Sequence, residues 1–233
     1  MQDMQQAQTQ TVLKDVVTKR SYFSMDIDFL WRFGRAMQHA WCMIRDRGFD
    51  APDTTSEPFE IVGQLYTKSI QSRSSLADNC KTVYSNAKGS NLILVCFDRN
   101  YDTLKCKSRM ISTDQVKAMQ ESILKMPRGR VVCLAPNKLS PQAKKEKLLD
   151  HDGQPVDIFL FDELMIDLPR HELVCAHRPV QPEAVKKLLG QTLVVTDLPQ
   201  LPRTDPIAKW FGFSAGTIVQ IDNPVMPSWR IVV

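Results

Sequence analysis

A chain of 233 residues, 43% of them hydrophobic and 24% charged, has the apolar mass for one large or two small cores. It contains no run of about eighteen apolar residues, so no membrane-spanning helix is expected. Its net charge of +4 is too mild to define a nucleic-acid binder by itself.

The first ten residues hold five Gln and lack the apolar stretch of a signal peptide. Residues 1–24 are expected to form a poorly ordered extension. Leu30, Phe33, Met37, Trp41 and Ile44 then recur at helical spacing, with Asp28 as the expected N-cap, Arg45 and Arg47 in the last turn and Gly48 closing the helix. Such an aromatic stripe is the face a helix turns to its core. After a loop over 50–58, a second helix is expected with Phe59, Val62, Tyr66 and Ile70 on one face. A strand near Thr82–Tyr84, a turn through Lys88-Gly89 and a strong strand Leu92–Phe97 follow.

Ser112 and Gln115 form a capping box ahead of a helix that buries Val116, Met119, Ile123 and Met126. Val131–Leu134 reads as a strand, Ser140-Pro141 as the cap and first residue of another helix, and Val156–Phe161 as a further strand. Strands alternating with helices predict an α/β layer, α+β over the whole chain, with a partly parallel sheet over residues 25–161. Past residue 162 prolines crowd the chain, one helix is expected over Glu183–Leu189, and strands near Thr217–Ile221 and Trp229–Val232 close it. Residues 162–233 are therefore expected to be a second, small, mostly β domain. Its charge balance differs too. Residues 1–161 carry 23 Lys+Arg against 18 Asp+Glu, and residues 162–233 carry 7 against 8.

Chemistry is sparse. Cys42, Cys80, Cys96, Cys106, Cys133 and Cys175 include no C-x-x-C pair, and His39, His151, His171 and His177 do not complete a zinc pattern. Cys96 and Cys133 lie in apolar runs, where a reduced thiol behaves as a small hydrophobe. His171 and His177 lack the i, i+4 spacing of H-E-x-x-H, and no phosphate-cradling glycine loop occurs. No catalytic residue, cofactor, metal or small-molecule substrate is expected.

Three segments carry a resemblance. ELMIDLPRHELVCAH (163–177), LPRTDPIAKWFGFSAGTIVQI (201–221) and the closing SWRIVV follow, in this order, the pattern of the common subunit of eukaryotic RNA polymerases I, II and III. FLWRFGRAMQHAWCMIRDRGF (29–49) and VVCLAPNKLSPQAKKEKL (131–148) resemble it more weakly. In residue terms the second segment is an Asp205 cap, proline at the first helical position, a short helix PIAKWF, a stop at Gly212 and a turn at Gly216.

The resemblance implies a non-catalytic nuclear subunit, nucleolar if dedicated to polymerase I. Its amino-terminal domain would be restriction-endonuclease-like and part of the lower jaw near downstream DNA. Its carboxy-terminal assembly domain, similar to the archaeal H subunit, would dock on the largest polymerase subunit beside the small common subunits. Docking roles are implied for His171, Glu172, Leu173 and Val174, for Leu201, Pro202 and Arg203, and for Asp205, Pro206, Lys209, Trp210, Phe211, Gly212 and Gly216. Departures from the pattern are Cys175 for a proline, and Ser214, Ala215, Asp222 and Asn223 where the family is basic. They imply a divergent lineage or a paralogue serving one polymerase class.

Lys105, Lys107 and Arg109 share one face of a strand if that segment is extended. Charges in that pattern solubilise an edge strand, or face downstream DNA weakly within the assembly. Lys144, Lys145 and Lys147 are expected on a solvated helix face. The class-different alternative is a free-standing nucleic-acid-processing enzyme with a nuclease-like domain. Its nearest motif, Asp78-Asn79-Cys80-Lys81, lacks a second carboxylate.

Overall fold

The computed structural model describes residues 27–53, 55–72, 75–99, 101–102, 107–183, 185 and 197–233. The Gln-rich extension, Lys105 and most of the helix expected over Glu183–Leu189 lie outside these residues. The chain divides into two compact units, one ending at Met165 and the other Ile166–Val233. Both are mixed α/β structures, so the expected α+β class holds.

The first unit begins with helix α1 (Ile27–Asp46). Phe33, Met37 and Ile44 of the expected stripe are buried along it, while Leu30 and Trp41 are half-buried. Asp28 lies inside the first turn instead of capping it, 3.9 Å from Arg32. Gly48 ends the helix with φ +85, while Phe49 N donates to Ile44 O. Helix α2 (Pro58–Ser72) packs on α1. Its buried face is Ile61, Val62, Leu65 and Ser69, so the expected face is rotated: Phe59 is 37% exposed and Tyr66 half-buried. A short α3 (Leu76–Asn79) leads into the sheet.

Strands β1 (Thr82–Ser85) and β2 (Asn91–Cys96) form an antiparallel hairpin. Its turn is fixed by Asn86 Oδ1, which accepts from Lys88 N and Ser90 N. A small hairpin of β3 (Tyr101–Asp102) and β4 (Lys107–Ser108) follows. Helix α4 (Thr113–Leu124) carries both bonds of the predicted Ser112–Gln115 capping box. It crosses to β5 (Arg130–Ala135), parallel to β2, and β6 (Asp157–Leu160) adds in parallel at the edge. The sheet order is β1-β2-β5-β6.

Residues on alternate faces of this sheet are buried on both sides. Ile93, Val95, Val131 and Cys133 pack with Val116, Met119 and Ile123 of α4. On the other face, Tyr84 lies opposite Leu92 and bonds to Trp41, and the Phe33 and Phe161 rings meet at 5.7 Å. Helices therefore cover both faces, the layering expected around parallel strands.

The helix expected from Ser140-Pro141 does not form. Ser140 Oγ accepts from Ala143 N and Lys144 N donates to Ser140 O, but the chain leaves the helical path after that turn. The buried residues there are Ala143 and Leu148, five apart, a spacing that points to different sides of a helix. Burying both needs a turn, and Leu148 O then accepts from Val156 N at the start of β6.

The second unit is built on the sheet order β7-β9-β10-β8. Its strands are β7 (His177–Val180), β8 (Gln200–Leu201), β9 (Ile218–Ile221) and β10 (Ser228–Val232). Neighbours are antiparallel except β10 and β8. Helix α5 (Pro206–Phe211) covers one face, where Leu201, Ala208, Val219 and Val232 are buried together. Val185, Leu198 and Ile218, with Trp229 and Ile231, fill the other face.

Candidate partner-docking surface

Helix α5 forms because each end is chemically closed. Asp205 Oδ1 accepts from Ile207 N at 2.9 Å and Ala208 N at 3.2 Å, and Pro206 occupies a position that needs no N–H. Gly212 stops it in the left-handed region, φ +64 and ψ +37, with Phe213 N donating to Ala208 O. Gly216, φ +84, donates to Val232 O as the chain turns into β9. Arg203 N and Val233 N extend the pairing of the LPR segment with the carboxy-terminal strand, donating to Val233 O and Leu201 O. The whole 201–216 segment is thus stitched to the end of the chain.

The sequence-expected docking residues of this segment divide into three groups. Leu201 and Trp210 are buried, Trp210 at 1% exposure, and build the core. Asp205 acts through its capping carboxylate, and Gly212 and Gly216 through the backbone. Pro202 and Pro206 are exposed, Arg203 and Lys209 half-buried, and the half-buried Phe211 ring stacks on Phe213 at 5.3 Å.

His171, Glu172 and Leu173 stand exposed, with Val174 half-buried. Their loop is tied by Val174 N donating to His171 O and Leu173 N to His171 Nδ1. The 3₁₀ turn Leu168–Arg170 just before it packs on α5, which brings the two sequence segments together.

A further feature was not singled out by the sequence. Cys175 Sγ contacts Asn223 Oδ1 at 3.2 Å, and Asp222 N donates to Ala176 O. These bonds hold the β9–β10 turn beside the 171–174 loop. Asp222 also pairs with Arg178 at 3.3 Å and accepts from Gln220 Nε2, so this acidic residue has local partners. At the tip Val225 is 98% and Met226 70% exposed, and Leu173, two residues before Cys175, is 82% exposed. The available signal was Pro-Val-Met-Pro: two apolar residues between prolines, where no strand can bury them.

The residues weighed for catalysis are occupied otherwise. His177 Nδ1 lies 2.7 Å from Cys175 O. Lys81 Nζ binds Asp78 Oδ1 at 2.6 Å, and that bond holds the Asp78 carboxyl below its usual range. Among the described residues no three His, Cys, Asp or Glu gather as metal ligands. Of the basic stripe, Arg109 is exposed and Lys107 lies in β4.

Residues 166–233 match the family described as RNA polymerase Rpb5, C-terminal domain. The chain is 24% identical over 213 residues to "DNA-directed RNA polymerases I, II, and III subunit RPABC1" of Caenorhabditis elegans, covering 87% of this chain and 92% of that protein. The Caenorhabditis briggsae counterpart matches with the same identity and coverage. "DNA-directed RNA polymerase subunit 5-like protein 1" of Arabidopsis thaliana is 34% identical over 67 residues, 28% of this chain and 32% of that one. The family match begins at the first residue of the second compact unit and runs to its last. The second unit thus matches the Rpb5 C-terminal domain family from end to end, and the chain that carries it is similar to RPABC1 along most of its length.

Proposed function

We propose that the chain is a non-catalytic, structural subunit of a nuclear DNA-directed RNA polymerase, docking on the largest subunit through its second unit. Its similarity to RPABC1 over most of both chains supports the subunit role. The observation that carries the docking role is the exposure of Leu173, Val225 and Met226, with Leu173 and Val225 each two residues from the Cys175–Asn223 contact. Exposed aliphatic side chains on an ordered turn suit burial against a partner. Small common subunits would adjoin this contact. The first unit then forms part of the lower jaw near downstream DNA, touched weakly by Lys105, Lys107 and Arg109 in the assembly. The replacement of family cations at Ser214, Ala215, Asp222 and Asn223 fits service to one polymerase class, with nucleolar residence if that class is polymerase I.

Affinity purification of the tagged chain, with mass spectrometry of what accompanies it, tests the reading. A polymerase largest subunit is expected, and its identity names the class. Recovery of the intact chain without any polymerase largest subunit would overturn the assignment.

A further inference from the structure

The turn that replaces the expected 140–148 helix has a consequence on the surface of the first unit. Ala143 and Leu148 enter the core, but Ile158 and Leu160 of the edge strand β6 are only partly covered. A groove of about 510 Å³ opens there. Leu139, Ile158 and Leu160 line its apolar part, and Lys138, Lys144 and Lys147 stand along it with a single carboxylate, Glu146. None of these three lysines joins an ion pair among the described residues.

We propose that this groove is a docking site for an acidic peptide segment whose aliphatic side chains seat on Leu139, Ile158 and Leu160 while its carboxylates meet Lys138, Lys144 and Lys147. Two features choose this occupant. The groove lysines outnumber the single Glu146, so the local field attracts anions. The floor is aliphatic, and only a ligand that brings its own apolar side chains removes that surface from water. A phosphate backbone would use the lysines and leave the floor wet. Alternating polarity of this kind, apolar base and cationic rim, matches an amphipathic helix with Leu on one face and Glu on the other. The groove lies wholly in the first unit, and its occupancy is independent of the polymerase assignment.

The test uses the full chain and a fluorescein-labelled peptide with Leu at i, i+3, i+4 and i+7 and Glu between them, read by fluorescence anisotropy. Binding is expected. Substituting the peptide leucines by Ser should weaken it about tenfold, as should the triple variant K138E/K144E/K147E, which changes only exposed side chains. Leu139→Ser should weaken it through the floor, with its urea unfolding measured alongside because Leu139 also packs on the core, and hydrogen exchange over 155–160 should slow when the peptide is bound. The proposal is overturned by absence of binding, by equal binding of the Leu and Ser peptides, or by indifference to lysine reversal. Tighter, lysine-dependent binding of duplex DNA would overturn it in favour of a nucleic-acid surface, and reversal-sensitive dimerisation in favour of a second copy of this chain.

Discussion

The indole Nε1 of Trp41 donates to the phenol oxygen of Tyr84 at 3.0 Å, joining the first helix to the outer strand of the sheet. Tyr84 is buried, and burial raises its phenol pKa above the ordinary 10.0. Tyr84→Phe removes the acceptor and should cost about 1 kcal/mol at neutral pH in urea unfolding. The sign with pH follows from linkage. A raised folded-state pKa gives stability that is complete below 10.0 and is lost as pH rises through the folded value. The gap between wild type and Tyr84→Phe should therefore narrow above that pH, and a gap that widens would contradict the buried phenol.

At Gly34 the backbone of α1 meets the start of α2 directly. A Cβ there would stand 2.1 Å from the carbonyl oxygen of Pro58, a backbone atom that cannot swing aside. Gly34→Ala must push the helices apart. We expect destabilisation of roughly 1–3 kcal/mol despite alanine's better helix propensity. Denaturant midpoints of the two proteins decide this, and a stabilised variant would show that the contact yields.

The thiols should react in an order set by burial. Cys133 is pushed up by desolvation, and Cys96 by a hydrogen bond with Cys80 and then by burial. Cys175 is half-buried in the second unit. Iodoacetamide at mildly alkaline pH, followed by peptide mass spectrometry, should label Cys175 while Cys96 and Cys133 react only after denaturation. Rapid native labelling of Cys133 would be incompatible with a closed core.

In the second unit the two adjacent aromatic residues of α5 differ in weight. Trp210 is buried and Phe211 half-buried. Trp210→Ala should cost roughly 3–5 kcal/mol, and Phe211→Ala clearly less. Asp205→Ala, which frees the amides of Ile207 and Ala208, should cost about 1 kcal/mol. Thermal unfolding of the three variants should rank them in that order of severity for Trp210 against the others.

What the sequence made legible was local chemistry that closes on itself. The Ser112–Gln115 box, the Asp205-Pro206 start with its Gly212 stop, and the α1 stripe each need only neighbours a few residues away. The α2 face and the 140–148 segment were set by distant partners. Pro58 seats against Gly34, which orients the start of α2, and Leu148 pairs with Val156 to start the edge strand. The same limit hid the exposed tip. Leu173 and Val225 each lie two residues from the Cys175–Asn223 contact, which joins positions 48 residues apart in sequence beyond the paired ends of β7 and β9.

That pairing supports the last prediction. Leu173 and Val225 are exposed and contribute little to the core, so Leu173→Asp with Val225→Asp should leave the unfolding temperature nearly unchanged. A carboxylate buried against an apolar partner surface, however, is strongly unfavourable. Co-purification of the largest polymerase subunit should therefore fall sharply for the double variant, while Trp210→Ala would lose association only together with folding. The pairing of intact folding with lost association separates a contact residue from a scaffold residue. Undiminished recovery of the polymerase with both aspartates in place would move the docking surface away from this end of the sheet.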